Sequence, residues 1–300
     1  MPTLGRDTIV GAITSFLANQ DAPLLAELRA ALEREIDAAG PEALAAHNAR
    51  LEDAGRDWDY YPPDPLARRV HHVLADWLLD PRSTFGGIEH VRAVAGRPVV
   101  IFVNHLSYAD ANLFEILLHR AGGDELADRL TVVAGPKVYS SLRRRFSSLC
   151  FGTIKTPQSR TLSSGDAVMD PREVARAARR SIEIAHERLG RGDGVLVFAE
   201  GTRSRTCGMQ ATLAGVARYL DGPAEWILPV GITGTEALFP VGDDSIHLAP
   251  ISARVGPPIS IAGLHAARGG RRAMMDVVGH AVAELLPPAY RGVYGSAGAA

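Results

Sequence analysis

The sequence predicts an α/β protein: a mostly parallel or mixed central sheet flanked by helices, with a helical bundle at the N-terminus. Two observations carry this reading. The runs "RPVVIFVN", "GVLVFAEG" and "WILPVGITG" are continuously apolar and β-branched rather than alternating, as in strands buried on both faces. Stretches with helical spacing separate them, so the strands are joined by crossovers, as in layered α/β folds. At 300 residues the chain is long for one compact domain and short for two large ones. The expected division is a helical N-terminal domain over 1–85, an α/β domain over 86–290 and a disordered tail over 291–300.

Each element follows from local pattern. In "APLLAELRAALEREIDAAG", Leu25, Leu28, Leu32 and Ile36 share one helical face. "PEALAAHNARLEDAG" opens on Pro41, suited to a first helical turn, and closes on Gly55. The adjacent Pro62 and Pro63 of "DWDYYPPDP" stop the pattern. "PLARRVHHVLADWLLDP" then sets Leu66, Val70, Val73, Leu74, Trp77 and Leu78 along a broad apolar stripe, read as core. After the strand "RPVVIFVN" come a helix "ADANLFEILLHRAG", a strand "LTVVAG", a helix "PKVYSSLRRRFSSLC" and a short strand "FGTIKTP". "PREVARAARRSIEIAHERLGRGDG" is a long amphipathic helix with Pro171 near its start. "GVLVFAEG" is followed by a helix "GMQATLAGVARYL", and "WILPVGITG" by one more strand or hairpin arm in "IHLAPISARVGPPI". "RRAMMDVVGHAVAELLPP" closes the fold as a helix.

Composition excludes several classes. The 32 basic and 34 acidic residues leave a net charge of −2, with no sign of nucleic-acid binding. Cys150 and Cys207 form no C-x-x-C pair and have no histidine at zinc-ligand spacing, so neither a disulfide framework nor a metal site is expected. The adjacent His71 and His72 lack a ligand-spaced partner, and Cys150 reads as a small buried hydrophobe. "TIVGAITSFLA" is too short and lacks the basic flank of a secretory signal. No run approaches the ~20 apolar residues of a spanning helix. The expected location is cytoplasmic or peripheral to a membrane surface.

Two of the buried strands end on reactive side chains, one in "NHLSYAD" and the other in "FAEGTRSR". In open α/β sheets ligands gather at such strand ends. His105 is suited to accept a proton near neutral pH, and Asp110, five residues on across a strand-to-helix turn, is placed to orient it. Taken alone, the pair reads rather as a capping or core histidine and a helix-capping aspartate. In the second stretch Gly201 permits a sharp turn, Thr202 and Ser204 carry hydroxyls, and Arg203 and Arg205 suit a phosphate or carboxylate. Glu200, at the strand end, would bind a substrate hydroxyl or hold an arginine; the alternative is a solvated ion-pair cluster.

"NHLSYAD" holds His-x-x-x-x-Asp directly after a buried strand, and "VFAEGTRS" follows with Glu200 95 residues beyond His105. In this order and separation the two motifs resemble the glycerolipid acyltransferase superfamily, which includes glycerol-3-phosphate and 1-acylglycerol-3-phosphate acyltransferases. "FGTIKTP" looks like that family's second block and "ILPVGI" its fourth, and the helical start is similar in kind to the helical domain of soluble plastid glycerol-3-phosphate acyltransferases. The resemblance implies direct transfer from an acyl-CoA or acyl carrier protein thioester to a hydroxyl, with His105 as base, Asp110 as its orienting carboxylate and backbone N–H groups meeting the oxyanion. The absence of a G-x-S-x-G elbow agrees with a path that needs no acyl-enzyme. It further implies that Glu200, Gly201, Thr202, Arg203, Lys155 and Ser107 bind the acceptor, a small molecule or lysolipid. No bound cofactor is implied; the thioester is a co-substrate.

Departures from the pattern bear on the acceptor. Ala199 stands where the family usually has proline, the arginine expected near the end of the second block falls at about Gln158, with Lys155 and Arg160 nearby, and "MQATLAG" lacks the usual lysine. A phosphate acceptor remains the leading expectation, beside a non-phosphate alcohol or amine, a thioester hydrolase, and an inactive lipid-binding scaffold. Arg143, Arg144 and Arg145 would meet coenzyme A phosphates or an acidic carrier protein, or form a solvated helix face. The N-terminal apolar stripes, if they faced outward, would form the lip of an acyl-chain groove.

Overall fold

The computed structural model describes residues 4–157, 169–240, 245–266 and 269–295. Along the chain come α1 (Arg6–Ile13), α2 (Ala22–Asp53), β1 (Tyr60–Tyr61), α3 (Pro65–Leu78), β2 (Thr84–Gly86), α4 (Ile88–Ala93) and β3 (Val99–Val103). Then follow α5 (Asp110–Arg120), α6 (Asp124–Ala127), β4 (Leu130–Ala134), α7 (Leu142–Ser148), β5 (Gly152–Lys155), α8 (Pro171–Gly190), β6 (Gly194–Phe198) and β7 (Trp226–Thr233). The last are α9 (Thr235–Leu238), β8 (Ser252–Val255), β9 (Ile259–Ser260), α10 (Ile261–Ala266) and α11 (Gly270–Glu284).

The described strands form one nine-stranded sheet in the order β1-β5-β4-β6-β3-β7-β8-β2, with β9 beside β7. Its heart, β5, β4, β6, β3 and β7, is parallel. The strands β1, β8 and β9 run antiparallel to their neighbours, and β2 runs parallel to β8, so the sheet is of the expected mixed kind. All five residues of the central β3 are buried. Val99, Ile101 and Val103 join the apolar cluster under the N-terminal helices, while Val100 and Phe102 join the one under α8 and α11. That two-sided burial is why the sequence reads as a continuous apolar run.

The N-terminal block is not set apart from the sheet. Its β1 pairs with β5 at one edge and its β2 with β8 at the other. One apolar cluster runs from Ile9 through Leu32 and Val70 to Val255, across the expected division at residue 85. The two expected helices over 22–55 meet at a kink where Gly40 has φ 83° and Pro41 follows. No helix of the described residues is long and apolar enough to cross a membrane.

Three expectations are corrected. The helix expected over 136–150 breaks, because Ser141 is extended and its side chain caps a new helix at the Arg144 N–H, 3.3 Å away. Residues 208–213, expected as helix, form neither helix nor strand, and only Ala214–Leu220 of this stretch forms a 3-10 helix. Their amides go to distant partners: Gln210 N–H to Glu200 Oε2 at 2.7 Å, Thr212 N–H to the Tyr294 hydroxyl at 3.0 Å and Leu213 N–H to the Ala199 carbonyl at 2.9 Å. The start of the tail is also placed. Gly292–Tyr294 form a 3-10 turn and Tyr294 is buried, its hydroxyl 2.8 Å from Thr212 Oγ1. Residues 296–300 lie outside the described residues.

Candidate active site

Register brings the two motifs together. Val103, the last residue of β3, pairs with Phe198 of β6 on one side and Val230 of β7 on the other. Two residues beyond, His105 leaves the sheet beside Glu200. Its N–H donates to Glu200 Oε1 at 2.9 Å, and its carbonyl accepts from the Ser204 N–H at 2.7 Å. On the β7 side the Asn104 carboxamide continues the ladder: Nδ2 donates to the Ile232 carbonyl at 2.9 Å and Oδ1 accepts from the Ile232 N–H at 2.8 Å.

The turn after β3 wraps around Asp110. Oδ2 accepts from His105 Nδ1 at 2.8 Å and from the Leu106 N–H at 2.7 Å. The Ser107 N–H lies 3.0 Å from both oxygens, and Thr235 Oγ1 donates to Oδ1 at 2.6 Å. Thr235 is placed there by Gly234, whose φ of 91° and whose contact with the Pro250 carbonyl, 2.3 Å from where a Cβ would stand, leave room only for glycine. The carboxylate is thus buried and held by donors on all sides. The His105 ring stacks on Phe198 with centroids 3.9 Å apart. Its Nδ1 is engaged by Asp110, and Nε2 has no hydrogen-bond partner among the described residues.

His105 opens onto a cavity of about 960 Å³. Ser107, Gly201, Thr202, Arg203, Arg143 and Arg144 also line it. Two guanidiniums lie over the Tyr108 ring, Arg203 at 3.9 Å and Arg144 at 4.4 Å from its centroid. Arg144 is further held by the Lys137 carbonyl at 3.3 Å and Ser140 Oγ at 3.1 Å. Arg143 lies over Phe16 at 5.5 Å. Apolar side chains of the N-terminal block, Ile13, Phe16, Leu74 and Leu78 among them, face inward and form a wall of this cavity.

Three expected site residues stand elsewhere. Glu200 is buried and does not line the cavity; the amides of His105 and Gln210 take its two oxygens. Burial pushes its carboxyl up to about 7, against the pull of those amides. It braces the histidine rather than facing an acceptor. Lys155 points away: Nζ donates to the Gly55 carbonyl at 2.6 Å and sits 4.3 Å over the Trp58 ring. Arg145 is outside the cavity wall, its Nη1 3.2 Å from the Leu51 carbonyl. Gln158 and Arg160 lie outside the described residues. Of the backbone N–H groups near the strand ends, expected to meet an oxyanion, those of His105, Leu106 and Ser107 are taken by carboxylates.

Sequence reasoning passed over Asn104, Tyr108 and Thr235. The first two lie inside "NHLSYAD", where a polar residue at a strand end and an aromatic close to His105 were legible signals. Thr235 had none, since 125 residues separate it from Asp110.

The acyltransferase family model matches residues 82–233, just over half of the chain and the span that holds both motifs. The chain therefore belongs to the acyltransferase family, the superfamily its motifs resemble, and is an enzyme that transfers acyl groups. No curated protein matches it. Among solved structures it is similar to the 1-acyl-sn-glycerophosphate (LPA) acyltransferase PlsC from Thermotoga maritima. Identity is 19%, over 80% of this chain and 82% of that one, with a TM-score of 0.49.

Proposed function

We propose that the enzyme moves an acyl group from an acyl-CoA or acyl carrier protein thioester to a hydroxyl of a phosphate-bearing acceptor, glycerol-3-phosphate or a lysophospholipid. The observation that carries this reading is the 2.8 Å contact between His105 Nδ1 and Asp110, with Nε2 left to the cavity. The acceptor hydroxyl gives its proton to Nε2 as its oxygen attacks the thioester carbon. The C–S bond then breaks, and the departing sulfur takes the proton from the imidazolium. Asp110 keeps the ring in one tautomer and stabilises its charged form without taking the proton.

The oxyanion falls to the N–H groups of Thr202 and Arg203, because the amides at the β3 end are occupied and the Gly201 N–H goes to the Phe198 carbonyl at 3.0 Å. Arg203 and Arg144, stacked on Tyr108 at the cavity wall, supply the charge-assisted donors that a phosphate needs. This pair stands in for the cations missing from the second block. The reading calls on no bound cofactor and places the enzyme in the cytoplasm or at a membrane surface. It is tested by thiol release from acyl-CoA and acyl carrier protein thioesters, with and without glycerol-3-phosphate, lysophosphatidate, and a pool of neutral alcohols and amines. Release that requires a phosphate acceptor is the expected result. Release stimulated only by a neutral acceptor, or release with none, overturns it in favour of a different nucleophile or of hydrolysis.

A further inference from the structure

The cavity at His105 wraps the C-terminal edge of the sheet and has two unlike walls. Under the N-terminal helices the wall is buried and apolar, formed by Leu74, Leu78, Leu113, Phe146, Phe151 and Ile251. Under α8 it carries the hydroxyls of Thr156, Ser181 and Tyr219 beside Ile182 and Val216. Ser181 Oγ lies 3.1 Å from Thr156 Oγ1 and 3.4 Å from the Tyr219 hydroxyl. Ile182 and Arg218 also line a surface groove of about 450 Å³, with Arg179, His186 and Arg271. In the groove Arg179 pairs with Glu183 at 2.9 Å and Arg271 with Asp221. Arg218 is exposed and has no ion pair among the described residues, so three guanidiniums meet two carboxylates.

We propose that the α8 side of the cavity carries the phosphopantetheine arm of the acyl donor, and that Arg218 and its groove receive the arm's phosphate end. The inference rests on the acyl-transfer reading above. From the reacting carbon a thioester extends in two directions. Its hydrocarbon chain suits the dry apolar wall. Its arm carries two amides, which require hydrogen-bonding groups once out of water, and ends in phosphate, which suits a guanidinium. Among the described residues, the α8 side offers three linked hydroxyls followed by a cation without an ion pair at the surface. The stretch 202–205 also brings hydroxyls and cations to the cavity, on the side of the Tyr108 ring. The Arg144–Tyr108–Arg203 stack is left to the acceptor.

Binding measured by calorimetry tests this without turnover, so failure of the acyl-transfer reading would show separately, as absent thiol release. The probes are coenzyme A and pantetheine, which lacks every phosphate. Arg218→Glu is expected to weaken coenzyme A about tenfold or more and to leave pantetheine within twofold, with Arg218→Gln intermediate. Unchanged coenzyme A binding, or equal weakening for both probes, overturns the proposal; an unaltered melting temperature guards against misfolding. Holo acyl carrier protein separates the two phosphate sources. Equal weakening assigns the groove to the phosphate common to both donors and upholds the proposal; no weakening assigns it to the nucleotide phosphates of coenzyme A and overturns the assignment to the arm's own phosphate.

Discussion

Among the described residues two histidines pair with a buried aspartate, and one of the two pairs faces a cavity. His105 Nδ1 lies 2.8 Å from Asp110, and His47 Nδ1 lies 3.1 Å from Asp64. Both aspartates are 1% exposed and both accept backbone amides at the start of a helix: Asp110 from Leu106 and Ser107, Asp64 from Ala67. Both rings lie against a phenylalanine. The differences lie around the pairs. Asp64 is neutralised by Arg50 at 2.6 Å, whereas Asp110 receives a neutral hydroxyl from Thr235. His47 is fully buried with Nε2 unpartnered, whereas the His105 side chain is 15% exposed and lines the cavity. A His–Asp pair is therefore not a site in itself; access for a second reactant makes it one.

The largest expected effect breaks the pairs apart. His105→Ala should lower kcat by about 10²–10⁴ with little change in the denaturation midpoint, since only the base is lost. A variant keeping more than a tenth of the activity would assign the base elsewhere. His47→Ala is the mirror experiment. It opens a fully buried void and strips a partner from Asp64, so stability should fall by about 3 kcal/mol while kcat stays within twofold. Denaturant unfolding beside a rate assay reads both, and a stable but inactive His47→Ala would make the comparison fail.

Acid sharpens it further. Burial alone would raise the Asp64 carboxyl, but hydrogen bonds from His47, the Ala67 N–H and Arg50 overcome it and hold the group at about 2. A folded value below the unfolded one means stability that is present above about pH 4 and lost as pH falls through about 2, worth about 2 kcal/mol. Asp64→Asn should flatten that limb of the stability–pH curve; an unchanged limb would place the acid sensitivity elsewhere. The smallest effect concerns the cations. Arg50 is engaged by a carboxylate, whereas Arg203 and Arg144 stack on Tyr108. Arg203→Ala should raise KM for a phosphate acceptor about tenfold, and Arg144→Ala about threefold, with kcat for a neutral acceptor unmoved. Equal losses on both acceptors would speak for structural roles.

Legibility followed sequence distance. The parallel core strands, α3, α5, α8 and α11 were readable because burial on a face imposes a period of two, 3.6 or none within a dozen residues. The His105–Asp110 contact was readable for the same reason, closing within one turn. The two- and three-residue edge strands β1 and β2 are too short to carry a period. Residues 208–213 carry a helical pattern but give their amides to Glu200, Ala199 and Tyr294, partners no local rule supplies. Lys155, read as a phosphate ligand from its place near the second block, is drawn away by Gly55 and Trp58, 100 and 97 residues earlier in the chain.

By itself, then, the sequence determined the class of fold, the order of its core strands and main helices, the pairing of His105 with Asp110, and the family. These are set by backbone sterics and by apolar periodicity over short spans. Tertiary structure alone decided that Glu200 braces the His105 backbone, that Thr235 and Asn104 secure the turn, and that Arg144 and Arg203 meet on one ring. It also decided which of two similar pairs opens onto a cavity. Each of these depends on strand register and on packing between segments far apart in the chain, and no local pattern encodes that.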